Sequence, residues 1–381
     1  MDMEDNNPNL RAIILKLASP CNLLCSYCYE YNSGDRSWEA KPKKISDDLI
    51  NILFLRIAEH LRQTSDEPIT LLLHGGEPLL VGYSRLEYLL KGLRDRFCSE
   101  QLEIVIQTNG TLLTKKIVSL LKTYRVTVGI SIDGNEAHNS RRVDRRGIQS
   151  WDRTLRGINL IKQDAPEIFG GILAVMNLDA SASEVVRSLG AIHPPSIDLL
   201  QPFANYNSDI EDSEAERFGA WFVKAMKEWL ENKELFGIKV RIFSDVFLIA
   251  SGRETTSDWF GAPRPNYLVI ETDGSYALLD SLKTIGLGSE KIRNYNSSLS
   301  DTTFQEALNT SNRMLEALGA FNLPSGCNLC EWKNVCKGGY LVSRYSHENM
   351  FNNPSVYCSG IKNILSFTSS LIQKKGDRNA I

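Results

Sequence analysis

Several things are scarce in this chain of 381 residues. No apolar run approaches the ~20 residues that a helix needs to cross a bilayer. The opening segment, Met1-Asp-Met-Glu-Asp-Asn-Asn-Pro8, is acidic and polar, the opposite of a secretory signal. Basic excess is missing too. The formal net charge is −3, so nothing generic neutralises phosphates, and no nucleic-acid partner is expected. Low-complexity segments and short tandem repeats are absent. With 42% hydrophobic residues the chain can bury a core, which excludes wholesale disorder. The expectation is a cytoplasmic protein with no membrane and no nucleic-acid partner.

Cysteine is missing from the whole of residues 99–326, yet the chain has eight. Cys21, Cys25 and Cys28 fall within one short segment, Cys98 stands alone, and Cys327, Cys330, Cys336 and Cys358 lie near the end. In a reducing compartment such clusters point to metal or redox chemistry before structural disulfides. Cys98 is read as a small buried hydrophobe on a helix.

The length suggests two domains, at about 150 residues each as a guide, or one large domain with an extension. From Arg11 to about Pro202, short apolar runs alternate with amphipathic segments. The runs are Ala12–Leu17, Ile69–Leu73, Leu102–Gln107, Val126–Ile130, Gly171–Val175 and Ile197–Leu200. The amphipathic segments are Ile45–Arg62, Ser84–Phe97, Thr114–Tyr124, Ser150–Gln163 and Ser181–Leu189. Six strand–helix units indicate parallel βαβ construction and an α/β fold, a partial (β/α)6 barrel. A long amphipathic helix over Glu211–Asn232 follows, with Phe218, Trp221, Phe222, Ala225 and Trp229 on one face. Beyond residue 241 turn residues become frequent. Tyr267–Ile270 and Tyr276–Leu279 read as a hairpin around Asp273-Gly274. The expected division is a flexible N-terminus at 1–10, the barrel at 11–240, a small cluster-binding domain at 241–373 and a tail at 374–381.

The C-x3-C-x2-C spacing of Cys21, Cys25 and Cys28 sets three thiolates on one loop. A three-ligand zinc site and a 4Fe–4S cluster with one open iron both satisfy it. Three further segments follow successive strands: His74-Gly75-Gly76-Glu77-Pro78, Thr108-Asn109-Gly110 and Ser131-Ile-Asp133-Gly134. Each alone reads as a glycine turn with a polar cap. In a parallel barrel, however, these strand ends share the face where active sites form.

At these residues the chain resembles the radical S-adenosylmethionine (SAM) superfamily. The resemblance implies that Cys21, Cys25 and Cys28 hold a 4Fe–4S cluster whose open iron is chelated by SAM. It places Gly75, Gly76 and Glu77 at the SAM amino group, and Asn109, Ser131 and Asp133 near the ribose and methionine parts. Tyr27 falls near the adenine and Arg142 is the candidate for the SAM carboxylate. An external one-electron reductant and a 5′-deoxyadenosyl radical that takes a substrate hydrogen belong to the same expectation.

Cys327, Cys330, Cys336 and Cys358 could form a closed zinc site or a 4Fe–4S site by spacing alone. Beside the first motif this region resembles a SPASM domain, implying one auxiliary 4Fe–4S cluster. The full pattern has seven cysteines, and here Tyr340 stands at one of the missing positions. Gly261-Ala-Pro-Arg264, Asp280-Ser-Leu-Lys283 and Phe351-Asn-Asn-Pro-Ser-Val-Tyr-Cys358 resemble the FxsB-type maturases, which include enzymes forming three-residue cyclophanes. The implied substrate is a ribosomal precursor peptide, leader plus core, in which an aromatic ring is joined to the β-carbon two residues on. Asp280 is the candidate proton acceptor, with a turn-capping role as the other reading. Sulfatase-type maturation, thioether formation and epimerisation remain alternatives on the same scaffold, with a zinc-binding module as a non-catalytic one.

Overall fold

The computed structural model describes residues 8–33, 35–64, 68–208, 210, 211, 213–255, 257–261, 264–289 and 297–378. Ala262 and Pro263 of one quoted motif, and residues 1–7 and 379–381 of the expected termini, lie outside the described residues.

Six strands appear where the apolar runs predicted them. They are β1 (Ala12–Ala18), β2 (Ile69–Gly75), β3 (Leu102–Thr108), β4 (Val126–Ser131), β5 (Phe169–Val175) and β6 (Ser196–Leu200). The intervening helices are α1 (Tyr29–Asn32), α2 (Asp47–Gln63), α3 (Tyr83–Arg94), α4 (Lys115–Thr123), α5 (Trp151–Asp164) and α6 (Ala182–Gly190). Helix starts follow local chemistry. The Ser46 hydroxyl accepts from Leu49 N and the Thr114 hydroxyl from Ile117 N, each satisfying an orphan donor of a first turn. Asp47 and Asp48 in the first turn of α2 also suit the helix dipole. The chain continues through α7 (Glu214–Glu231), α8 (Lys233–Phe236), β7 (Lys239–Val240), α9 (Arg241–Ala250), β8 (Tyr267–Ile270) and β9 (Tyr276–Ala277). It ends with α10 (Phe304–Ala317), α11 (Lys333–Cys336) and α12 (Cys358–Arg378).

The chain divides into two compact units. One comprises Met1–Ile132, Asn139–Gly170 and Arg264–Leu315, the other Asp133–His138, Gly171–Pro263 and Glu316–Ile381. In the first unit the strand order is β4-β3-β2-β1-β8-β9. All neighbours there are parallel except the β8–β9 hairpin. Ile13, Leu15, Leu71, Leu73, Ile104, Ile106, Val128 and Ile130 are buried along these strands. In the second unit β5, β6 and β7 pair in parallel.

This division does not coincide with the boundary expected at residue 241. The expected second domain supplies β8, whose Tyr267–Ile270 pair in register with Ala12–Leu15 of β1. At the end of the chain α12 takes in Lys374–Arg378 of the expected tail.

The second unit's helices pack through a pair of glycines. A Cβ on Gly219 of α7 would lie 2.5 Å from the Gly360 Cα of α12, and one on Gly360 would lie 2.2 Å from the Ala215 carbonyl oxygen. The helices therefore touch backbone to backbone. Phe218 and Trp221 of α7 are buried, as the amphipathic pattern predicted.

Cys98 departs from expectation. It lies beyond the end of α3, is exposed, and its thiol faces the Gln101 Oε1 at 3.3 Å. The apolar stripe of α3 is completed by Leu86, Leu89, Leu90 and Leu93, so the helix needs no further hydrophobe.

Candidate active site

The first cysteine loop leaves β1 and is held by its backbone. Leu24 N donates to the Val143 carbonyl at 2.7 Å and Ser26 N to the Arg141 carbonyl at 3.1 Å. The glycine segment leaving β2 lies directly against it, with Gly76 N donating to Ala18 O and Glu77 N to Pro20 O. A Cβ on Gly76 would fall 1.8 Å from the Tyr31 hydroxyl, and Gly75 has φ +141°. Paired glycines are thus what lets the two loops close on each other.

Cys21, Cys25 and Cys28 are half-buried on this loop, and none of them is in a disulfide. Burial pushes the Cys21 thiol up to about 12 and the Cys28 thiol up to about 11. Without a metal both are neutral, and metal binding must displace their protons. Three thiolates on one loop are the soft donors that a 4Fe–4S cluster takes, each on a separate iron.

Glu77 is fully buried and its carboxylate is spent inside the protein. Oε1 accepts from the Thr108 hydroxyl at 2.7 Å and from Leu79 N at 3.1 Å, and Oε2 accepts from Asn109 N at 2.9 Å. Burial raises its pKa, against the pull of these donors. Glu77 braces the segment after β3 to the segment after β2. The Asn109 side chain donates to Asn22 Oδ1 at 2.9 Å and lies 3.9 Å from the Cys21 sulfur, and its Oδ1 accepts from Thr111. Ser131 Oγ accepts from Gln107 Nε2 at 2.8 Å. Tyr27 sits between two guanidinium groups. Arg142 Nη1 donates to its hydroxyl at 2.7 Å, and the Arg141 guanidinium stacks 4.6 Å from the ring centroid. Asp133 belongs to the second unit, where its Oδ1 accepts from Val175 N.

Next to this loop lies a group the sequence reading did not anticipate apart from Asp280. Lys16 of β1 is buried, with Nζ 2.7 Å from Asp280 Oδ2, 3.2 Å from Glu30 Oε2 and 3.3 Å from His74 Nδ1. Lys283 Nζ lies 2.7 Å from Glu30 Oε1, 2.9 Å from Glu271 Oε1 and 3.5 Å from Asp280 Oδ1. The Tyr29 hydroxyl donates to Asp280 Oδ2. Burial alone would raise the Asp280 carboxyl, but Lys16 and Lys283 together hold it well below the usual carboxylate range. Burial and the neighbouring Lys16 cation lower His74 to about 4, so the ring is neutral and accepts from Lys16 at Nδ1. One signal was available. Lys16 interrupts the apolar run Ile13-Ile-Leu-Lys-Leu17, and a charge within a buried strand must find partners.

In the second unit Cys327, Cys330, Cys336 and Cys358 line one cavity, together with Lys333 and Lys362. Burial pushes the Cys336 thiol up to about 12, and burial with the neighbouring thiols also raises Cys327. Arg344 scaffolds the surrounding loops. Its buried guanidinium donates to the carbonyls of Phe351, Ala320 and Asn322 at 2.7–3.1 Å.

Residues 17–177, which contain the cysteine loop and every strand-end segment above, match the model of the radical SAM superfamily. The chain is an enzyme that carries a radical SAM match over these residues. That superfamily implies a 4Fe–4S cluster and SAM as cofactors, and the three-cysteine loop fits that cluster. The chain is similar to the cysteine-type anaerobic sulfatase-maturating enzyme of Clostridium perfringens, at 24% identity over 94% of this chain and 96% of that one. It is also similar to the serine-type anaerobic sulfatase-maturating enzyme of Klebsiella aerogenes, at 28% identity over 88% of this chain and 81% of the relative. Among solved structures, native anSMEcpe with bound AdoMet superposes with a TM-score of 0.81 at 21% identity, covering 96% of this chain and 99% of that one. Streptococcus suis SuiB bound to its precursor peptide SuiA gives 0.60 at 15% identity, covering 93% and 77%. These likenesses bear out the α/β radical SAM fold. No helix among the described residues is long and apolar enough to cross a membrane.

Proposed function

We propose that this radical SAM enzyme modifies a ribosomally made precursor peptide, leader plus core, by forming a cyclophane. An aromatic ring becomes joined to the β-carbon of the residue two positions on. The observation that carries the reading is the second cysteine site, where four thiols share one cavity. A C–C bond to an aromatic ring forms through a ring radical that must lose one electron and one proton, so the overall change is the loss of two hydrogen atoms. Cys327, Cys330, Cys336 and Cys358 would hold a single auxiliary 4Fe–4S cluster, which supplies an electron acceptor. Asp280 is the proton acceptor in this reading.

At the first site Cys21, Cys25 and Cys28 would hold the cluster that, with SAM and an external one-electron reductant, supplies a radical able to take hydrogen from a peptide carbon. Gly75 and Gly76 leave the backbone open to the SAM amino group, and Glu77 holds Asn109 in place beside them. Tyr27 and Ser131 complete the candidate contacts from this unit. For the SAM carboxylate the geometry favours Arg141 over Arg142. Arg142 is bonded to the Tyr27 hydroxyl, while the buried Nε and Nη2 of Arg141 have no hydrogen-bond partner among the described residues. Those two atoms form the edge that binds a carboxylate in bidentate fashion.

The match to sulfatase-maturating enzymes over nearly the whole chain favours a second reading, oxidation of a cysteine or serine side chain to an aldehyde. Against it stands the cysteine count of the C-terminal region, four where the full SPASM pattern has seven.

The test uses anaerobically reconstituted enzyme with SAM, a reductant and a panel of synthetic peptides. Half carry Phe, Tyr or Trp two residues before an aliphatic or polar residue, and half carry a single Cys or Ser. Cyclophane formation predicts loss of two hydrogens from an aromatic peptide and no reaction of the product with hydroxylamine. A hydroxylamine-reactive aldehyde from the Cys or Ser peptides, with the aromatic ones untouched, overturns the cyclophane in favour of the second reading.

A further inference from the structure

The buried charges around Asp280 close into a ring. Lys16 contacts Asp280 and Glu30, and Lys283 contacts the same two carboxylates through their other oxygens. Every member therefore touches both of its counter-ions. The four come from β1, from α1 just after Cys28, and from the short helical turns that follow β9. Glu271, at the end of β8, adds a third carboxylate through Lys283. His74 from β2 faces Lys16, and Tyr29 faces Asp280. These are the titratable and charged side chains that the structure sets against Asp280 and its two lysines.

Burying five charges is a poor route to stability. An ion pair taken out of water regains in attraction little more than it loses in hydration, and an apolar replacement is often as stable. What the arrangement does achieve is control of one carboxylate. A lone buried aspartate would take up a proton and cease to be an acceptor. Here Lys16 Nζ lies 2.7 Å from one Asp280 oxygen and Lys283 Nζ 3.5 Å from the other, so two cations favour the ionised form.

We propose that Lys16 and Lys283 are positioning residues that keep Asp280 an anion, ready to take the proton that the substrate carbon loses. The proton moves from the substrate carbon to an Asp280 oxygen while the C–H electron pair restores the aromatic ring. The electron lost in the same step goes to the acceptor at the second cysteine site. The inference rests on Asp280 being the proton acceptor, and the measurement can fail separately from that reading.

Isotope-edited infrared spectroscopy of the cluster-loaded enzyme, labelled with 13C-aspartate and referenced against Asp280→Asn, reports the protonation of Asp280 directly. Wild type is expected to stay ionised from about pH 9 down to about pH 5. Lys16→Met, or Lys283→Met if the first does not fold, removes one of two adjacent cations, so Asp280 gains a proton within that window. Lys16→Arg retains the charge and stays ionised. With the peptide modified in the panel above, the Lys→Met variant loses about tenfold or more in product rate between about pH 8 and about pH 6, while wild type changes less than about twofold. An Asp280 that stays ionised across the window in a folded, cluster-loaded Lys→Met variant overturns the assignment of the lysines. If the titrations behave as expected but Asp280→Asn still forms product at the wild-type rate, the ring is real and the proton acceptor lies elsewhere.

Discussion

Replacing Glu77 by Gln separates two roles for the Gly-Gly-Glu-Pro segment, contact with SAM and internal bracing. Its two oxygens serve three donors at 2.7, 2.9 and 3.1 Å, all in the interior. Glutamine preserves volume but offers one carbonyl oxygen. Turned toward Thr108 and Leu79 it keeps two bonds, and its NH2 then faces the Asn109 N–H, donor against donor. Turned the other way it keeps one. The better arrangement forfeits a charge-assisted bond and leaves a buried donor unmet, a loss of about 1.5–3 kcal/mol. Part of this is offset, because burial already disfavours the charged carboxylate. A net destabilisation of about 1–2 kcal/mol is expected from urea unfolding of the apo-protein. Glu77→Ala gives up all three bonds and leaves a cavity, so a loss of about 3–5 kcal/mol is expected. SAM affinity, measured by calorimetry on the cluster-loaded enzyme, should fall by about tenfold in Glu77→Gln because the Asn109 backbone is released. A Glu77→Gln variant within about 0.5 kcal/mol of wild type and with unchanged SAM affinity would refute the bracing argument.

Other consequences are as direct. Anaerobic reconstitution should load about eight irons, falling to about four in a Cys21→Ala/Cys25→Ala/Cys28→Ala variant and to about four in Cys327→Ala/Cys330→Ala/Cys336→Ala. Zinc in place of iron at the C-terminal cysteines would remove the proposed electron acceptor. His74 enters the acid stability with a definite sign. Its folded pKa is depressed from 6.5 to about 4, so stability present above about pH 6.5 is lost as pH falls toward about 4. His74→Gln should flatten that window in urea titrations, and an unchanged slope would show that the ring is not held neutral. Gly219→Ala should cost about 1–3 kcal/mol by thermal or urea unfolding, since the added methyl group would lie 2.5 Å from the Gly360 Cα.

The parts of the molecule legible in the sequence are those set by local pattern. All six strands were visible as apolar runs, because parallel strands covered on both faces lose alternation and become continuous. Their ends shifted by no more than two residues, as at β5, where Phe169 and Gly170 extend the expected run from Gly171. The cysteine loop was visible because ligand spacing is short-range. The charge ring was not, since its bonded partners lie up to 264 residues apart and meet only because β8 pairs with β1. The same strand pairing explains why the compact units ignore the boundary expected at residue 241. Cys98 misled because a cysteine near an amphipathic helix reads as apolar, whereas α3 had already filled its stripe with leucines. The competition between Arg141 and Arg142 is a matter of side-chain direction, which neighbouring positions in a loop do not encode.

The meeting of Gly219 and Gly360 carries a consequence for how the enzyme matures in the cell. Cys358 is the first residue of α12, two positions before the glycine on which that helix lies against α7. Three of the C-terminal thiols sit on a loop and a single helical turn, and the fourth arrives on the end of the longest helix. Seating that helix and completing the thiol set are therefore one event. Iron delivered before the helix has docked would find only three partners, and a docked helix presents all four at once. With the proposed cluster in place, such an assembly would act as a checkpoint, in which the metal reports that α12 has reached its place, and damage to the cluster would loosen that helix.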